Sequence, residues 1–259
     1  MASKIVVYGL DGKEKETMDL PDFFSIKCRK DLIKRTVNAY ELNEKQPQGR
    51  DKQAGKRTTA EAWGSGFGVS RAPRNKGSGY PTARNGAFIP GVVGGRVAHP
   101  PKVENLTRRK INKKERKLAF LNAVSATSDK ELIEKRGHVI EKIKSFPMIV
   151  DDKIQTIKKT SEIQKVLRNL GLNEDIIRAK DGKSIRAGKG KWRARKYKNR
   201  KSILIVIKED FGIYKSARNL PGVDVININK LNCRDLAPGG LPGRLTLWIQ
   251  STLKEINRK

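Results

Sequence analysis

The sequence predicts an α/β fold: a single, mostly parallel sheet flanked by helices, with a long extended glycine- and arginine-rich loop inserted near the N-terminus. Three observations predict it. Short uninterrupted apolar runs, above all Ser202-Ile203-Leu204-Ile205-Val206-Ile207, read as strands covered on both faces. Segments with apolar residues at helical spacing alternate with such runs, as βα units do. Between residues 46 and 101 both patterns give way to glycine, proline and cations. No internal repeat is present.

Taken in order, Ile5, Val6, Val7 and Tyr8 predict a strand, and Asp11-Gly12 a turn. A helix is expected from Pro21-Asp22, carried by Phe23, Ile26, Leu32, Ile33, Val37, Tyr40 and Leu42. After the insert, Thr107 is expected to cap a helix through Ile111, Leu118, Phe120, Leu121 and Val124. That reading puts Arg108, Arg109, Lys110, Lys113, Lys114, Arg116 and Lys117 in its first turns, where cations oppose the helix dipole and call for an external anion. Met148 to Val150 reads as a strand, with Asp151-Asp152 as a turn at its end. Ser161 is expected to cap a helix through Ile163, Val166, Leu167 and Leu170 that stops at Gly171. Val223 to Ile228 and Leu245 to Ile249 supply further strands. The expected body is thus 1–45 plus 102–259, with apolar residues enough for one core.

With 57 Lys and Arg against 27 Asp and Glu, the chain carries a formal +30 over 259 residues, which demands a polyanionic partner. Nucleic acid answers best, because cations release the counterions condensed on phosphates. A membrane surface is the other polyanion, but no apolar run approaches the roughly 20 residues that span a bilayer. The start MASKIVVYGLDG lacks the apolar stretch of a signal peptide, so a soluble intracellular protein is expected. Cys28 and Cys233 form no CxxC pair and read as buried or semi-buried thiols. With His99 and His138 the only histidines, a metal site would need residues from four unrelated segments; neither metal nor cofactor is expected.

Catalytic motifs fail on spacing. Gly49 to Gly55 with Lys56, and Gly182 to Gly188 with Lys189, imitate a phosphate loop, yet each holds five residues between its glycines and lacks the hydroxyl residue, Arg57 and Gly190 standing in its place. Gly64-x-Gly66 has Val69 where a dinucleotide fingerprint needs glycine. No GxSxG elbow occurs, and both histidines are expected at the surface or on RNA.

Two basic constellations are stronger. The segment from 46 to 101 has eleven glycines, five prolines besides Pro101, and only Asp51 and Glu61 as acids. It threads Trp63, Phe67, Tyr80, Phe88 and His99 among Arg50, Lys52, Lys56, Arg57, Arg71, Arg74, Lys76, Arg84 and Arg96. Glycine lets backbone approach RNA, and aromatic and guanidinium planes stack on unpaired bases. A solvated, disordered loop is the plain alternative. The second constellation, Lys183 to Lys201, has ten Lys or Arg and no acid, with Trp192 and Tyr197 among them. Trp192 either anchors this loop on the body or stacks on a base.

Three stretches are diagnostic together: QGRDKQAGKRTTAEAWGSGFGVSRAPR at 48–74, GAFIPGVVGGRVAHPPK at 86–102 and AGKGKWRARKYKNRKSILIV at 187–206. They resemble, in this order around an α/β body, the family of the universal fourth protein of the large ribosomal subunit in its archaeal form, and the resemblance covers essentially the whole chain. It implies a structural, non-enzymatic role in the cytoplasmic ribosome. The body would lie on the outer surface of the subunit and residues 46–101 would penetrate large-subunit rRNA. The tip would be Trp63, Gly64, Ser65, Gly66, Phe67, Gly68, Val69, Ser70 and Arg71, lining the polypeptide exit tunnel near its constriction. The pattern departs at Phe67, where many relatives carry Arg. The chain also ends soon after its last helix, without the long C-terminal extension of eukaryotic members.

Composition and resemblance together name the expected rRNA-binding residues. They are Arg50, Lys52, Lys56, Arg57, Arg71, Arg74, Arg84, Arg96, His99, Lys102, Arg108 and Arg109, then Lys189, Lys191, Trp192, Arg193, Arg195 and Lys196. Expected partners are large-subunit rRNA, neighbouring large-subunit proteins and the nascent polypeptide, with no membrane. Two readings of other classes remain: an RNA-processing or nucleotide-dependent enzyme, which magnesium-dependent turnover would mark, and a regulator of messenger RNA outside the ribosome, which footprinting would mark.

Overall fold

A computed structural model of the chain describes residues 4–256. The first three residues of the segment compared with a signal peptide, and the last three of the chain, lie outside them. The chain divides into two compact units, one comprising residues up to Glu41 and from Lys110 onward, the other Leu42–Arg109.

The first unit is built on a six-stranded sheet. Its strands are β1 (Lys4–Tyr8), β2 (Glu14–Asp19), β3 (Met148–Val150), β6 (Leu204–Ile207), β7 (Asp224–Asn227) and β8 (Thr246–Ile249), ordered β2-β1-β3-β8-β6-β7. All neighbours run parallel except the β1–β2 hairpin. Leu204 pairs with Asp224 on one side and Thr246 on the other, so β6 is central. That position explains its unbroken apolar sequence. Ile203, Ile205 and Ile207 join one core cluster with Val150, Ile163, Leu167 and Leu247, whereas Leu204 and Val206 join the other with Ile33, Val37, Ala123, Ile149 and Trp248. A period of two thus feeds two hydrophobic layers, as a strand covered on both faces must.

Helices α1 (Lys30–Glu44), α2 (Lys113–Ser125) and α8 (Gln250–Ile256) bury Ile33, Val37, Ala119, Ala123 and Leu253 in the second cluster. Helices α3 (Lys130–Arg136), α4 (Thr160–Asn169), α5 (Asn173–Asp181) and α6 (Ile213–Ala217) contribute Ile133, Ile163, Leu167, Ile176 and Ile213 to the first. The short α7 (Cys233–Leu236) packs with the second. Trp248 is fully buried, its Nε1 donating to Thr127 Oγ1 at 3.3 Å and its ring edge-on to Phe24. Among the described residues no helix is long and apolar enough to cross a membrane.

Several elements differ from expectation. β2, Glu-Lys-Glu-Thr-Met-Asp, has no strand pattern; the tight Asp11-Gly12 turn places it on β1, where its charged side chains sit on an edge and resist pairing with another sheet. α1 starts at Lys30, not at Pro21, since Phe23 and Phe24 form a buried single turn and Asn122 Oδ1 accepts from Arg29 N at 2.9 Å. α2 starts after Asn112, so Thr107 caps nothing and Arg108, Arg109 and Lys110 precede the helix. α4 begins at Thr160 with Lys159 as its flanking residue, which puts Ser161 inside the first turn. The Lys183–Lys201 stretch contains a small hairpin, β4 (Ser184–Ile185) with β5 (Tyr197–Lys198). His138 is not at the surface: its side chain is only 2% exposed.

Candidate nucleic-acid interface

The β4–β5 hairpin carries cations that no carboxylate among the described residues neutralises. Ile185 pairs with Tyr197, Arg186 N donates to Lys196 O at 2.9 Å, and a single turn at Lys189–Trp192 closes the tip, with Ala194 at φ +58°. Of the ten cations from Lys183 to Lys201 only Lys201 meets a carboxylate, that of Asp224 at 2.8 Å, among the described residues. Lys183 Nζ lies 4.3 Å from the Tyr197 ring and Lys196 Nζ 5.5 Å. Trp192 is 80% exposed and therefore does not anchor the hairpin on the body. Lys189, Arg193, Arg195 and Lys196 are exposed, and Lys191 is half-buried.

A buried polar network fixes the hairpin's root. Asp175, fully buried, accepts from Ser202 Oγ at 2.6 Å, Arg178 Nε at 2.8 Å and Val139 N at 3.2 Å, with His138 Nδ1 at 3.1 Å. Burial alone would push its carboxyl up, but hydrogen bonds from His138, Arg178 and Ser202 hold it well below the usual carboxylate range. Burial also holds the His138 imidazole below its ordinary value, against the pull of Asp175. Arg178 Nη2 then donates to Lys201 O at 2.9 Å, and the fully buried Arg244 donates to Ser202 O at 3.1 Å and to Asp224 at 2.5 Å. Asp175, Arg178 and Arg244 did not stand out in the sequence, and His138 was expected at the surface or on RNA.

The second unit, Leu42–Arg109, has no helix between its ends and only isolated bridges. Its organising residue is Arg74, whose backbone bridges Glu61 on one side and Gly86 on the other. The Arg74 guanidinium donates to Arg84 O at 3.0 Å and sits 5.9 Å from the Trp63 ring, which meets Phe67 edge-on. Gly64, Gly66 and Gly68 all have positive φ and open space beside them, a backbone path that side-chain-bearing residues resist. Phe67 is 63% exposed and Val69, Ser65, Ser70 and Arg71 are exposed, while Trp63 is half-buried. Near the ends, Asp51 binds Arg57 through two hydrogen bonds, of 2.6 and 3.2 Å, Lys52 meets Glu104 at 2.7 Å, and Arg50 N donates to Pro101 O. Arg57, Lys52 and Arg74 are thus partly engaged within the unit. Lys56, Arg71, Arg84 and Arg96 have no ion pair among the described residues, although Arg96 lies over Phe88 at 6.0 Å. His99, Lys102, Arg108 and Arg109 are exposed, and Arg109 is held by its backbone to the Asn43 side chain.

No cluster of three or more His, Cys, Asp or Glu that could hold a metal occurs among the described residues. Cys28 is half-buried, and burial pushes the buried Cys233 thiol up to about 12.

The profile of the Ribosomal protein L4/L1 family matches residues 18–259. The chain belongs to this family. It is similar to the large ribosomal subunit protein uL4 of Methanosphaera stadtmanae, with 46% identity over 98% of this chain and 96% of the relative. The protein of the same name from Methanococcus aeolicus is 45% identical over 99% of both chains, and that of Methanopyrus kandleri 44% identical over 98% and 97%. Ribosomal protein L4/L1 members are structural and not enzymatic, so the nucleotide-hydrolase reading falls on family as well as on loop spacing.

Proposed function

We propose that the chain, a structural constituent of the large ribosomal subunit in the cytoplasm, binds large-subunit rRNA through two separate basic surfaces. Residues 46–101 act as an extended RNA-penetrating loop inserted in the α/β body formed by 1–45 and 102–259. Trp63 to Arg71 form its tip and line the exit tunnel, against rRNA and the nascent polypeptide, and neighbouring subunit proteins contact the body. The observation that carries this reading is the set of cations without carboxylate partners among the described residues, Lys183 to Arg200 in the hairpin and Lys56, Arg71, Arg84 and Arg96 in the loop.

Mechanistically, phosphates replace the missing carboxylates and release counterions, while exposed Trp192, Tyr197 and Phe67 offer planes on which unpaired bases stack. The positive-φ glycines bring backbone close to RNA without a Cβ in the way. Arg57 and Arg74 serve the loop's own architecture as well, so the cleaner test uses residues without internal partners. Arg71, Arg193 and Arg195 replaced together by Ala should leave the urea midpoint of the body unchanged and remove the chain from large subunits washed at high salt on a sucrose gradient. Near-stoichiometric recovery of that variant with the subunit would overturn the proposal.

A further inference from the structure

None of the surfaces above includes an open cleft of about 480 Å³ between α1, α2 and the segment leading into α7. Its size falls within the range of about 300–1,000 Å³ that accommodates a nucleotide-sized ligand. Lys113, Arg116 and Lys117 line it from α2, Tyr40 and Phe120 line it beside them, and Leu231 and Cys233 form a buried floor. We infer that this cleft receives one unpaired nucleotide of RNA, its phosphate on the three cations and its base on the two aromatic rings.

Positions 113, 116 and 117 share one helix face, where like charges repel one another and oppose the dipole of the helix they begin. No carboxylate among the described residues relieves them: the intervening Glu115 is taken by Arg35 at 3.0 Å, and Asp235 caps Asn232 N at 3.1 Å. Folding alone therefore gives no reason for the cluster, and an external anion does. Both Tyr40 and Phe120 are half-buried and packed on the core, and the Arg116 charge lies near the Tyr40 hydroxyl, where it works against the rise that burial imposes. Flat apolar planes beside a triple positive charge suit a base and its phosphate better than an acidic peptide, which would use the charge and waste the planes. The cleft is suited to binding and not to chemistry, since the Cys233 thiol is spent on Ala119 O at 3.7 Å.

The inference rests on the proposed rRNA reading, and ultraviolet cross-linking of intact large subunits with peptide mass spectrometry separates the two. The expected result is a nucleotide adduct at Tyr40 or Phe120 in the wild-type chain. A K113A/R116A/K117A variant, with an unchanged thermal midpoint, should lose that adduct while retaining adducts in 50–102 and 189–197; a Lys114→Ala control should keep all of them. Adducts at the other segments but none at the cleft would overturn this inference and leave the rRNA reading standing. A protein cross-link from an acidic neighbour to Lys113 or Lys117 would overturn it likewise. Absence of the chain from the subunit would overturn both.

Discussion

Asp175 shows how much a single side chain carries. It is a fully buried carboxylate satisfied by four donors from three segments, and its replacement leaves Ser202, Arg178 and His138 with unmet polar groups. Asp175→Asn should cost about 2–4 kcal/mol at neutral pH, read as a lower urea midpoint. The pH dependence follows from the directions of the shifts. His138 has a depressed folded value, so its contribution is complete above the ordinary histidine value of 6.5 and fades as pH falls below it. Asp175, also depressed, contributes fully above the ordinary 3.8 and is lost as pH falls further. Wild-type stability should therefore decline in two stages on acidification. The Asn variant should lose the Asp175 share of the lower stage and keep the part due to other depressed carboxylates such as Asp224, and identical acid limbs for the two chains would refute the assignment.

At the scale of elements, the hairpin separates binding from folding. Because Trp192 is exposed, Trp192→Ala should change body stability by no more than about 0.5 kcal/mol. It should weaken binding to a large-subunit rRNA fragment by about 1–3 kcal/mol, the range for losing one stacked base. Urea melts and filter binding on the same preparation decide it, and a large stability loss would mean that Trp192 packs on the body after all. The same contrast explains what the sequence disclosed. β6 was legible because its burial on both faces writes itself as Ile203-Leu204-Ile205-Val206-Ile207, and β7 and β8 were legible from their own apolar runs, Val223 to Ile228 and Leu245 to Ile249. β2 and the β4–β5 hairpin were not, because strands whose side chains are nearly all exposed owe their pairing to the chain that flanks them and not to a buried face. The starts of α1 and α2 were misplaced because tertiary partners, Asn122 on Arg29 and Asn43 on Arg109, claim backbone groups that a helical turn would have used. The hairpin's cations were legible from charge alone; the Asp175 and Arg244 networks at its root were not, since a buried ion looks like any surface ion until its neighbours are known.

For the whole molecule, the excess charge of +30 is sorted by the fold. On the body several carboxylates meet cations, as in Lys15 with Asp151, Lys142 with Glu174 and Lys208 with Glu255, whereas the hairpin from Lys183 to Arg200 has no such partner among the described residues. This asymmetry makes salt the discriminating variable. Each cation that neutralises a phosphate of single-stranded RNA contributes about 0.7 to the slope of log affinity against log salt. Replacing Arg193, Arg195 and Lys196 by Ala should thus flatten the slope by about 2, and neutralising Lys15, Lys142 and Lys208 instead should leave it unchanged because those charges are spent internally. Equal flattening by the two triple variants would mean that rRNA senses only net charge. A difference confined to the hairpin set would mean that the fold, by denying these cations internal partners, has reserved them for phosphate.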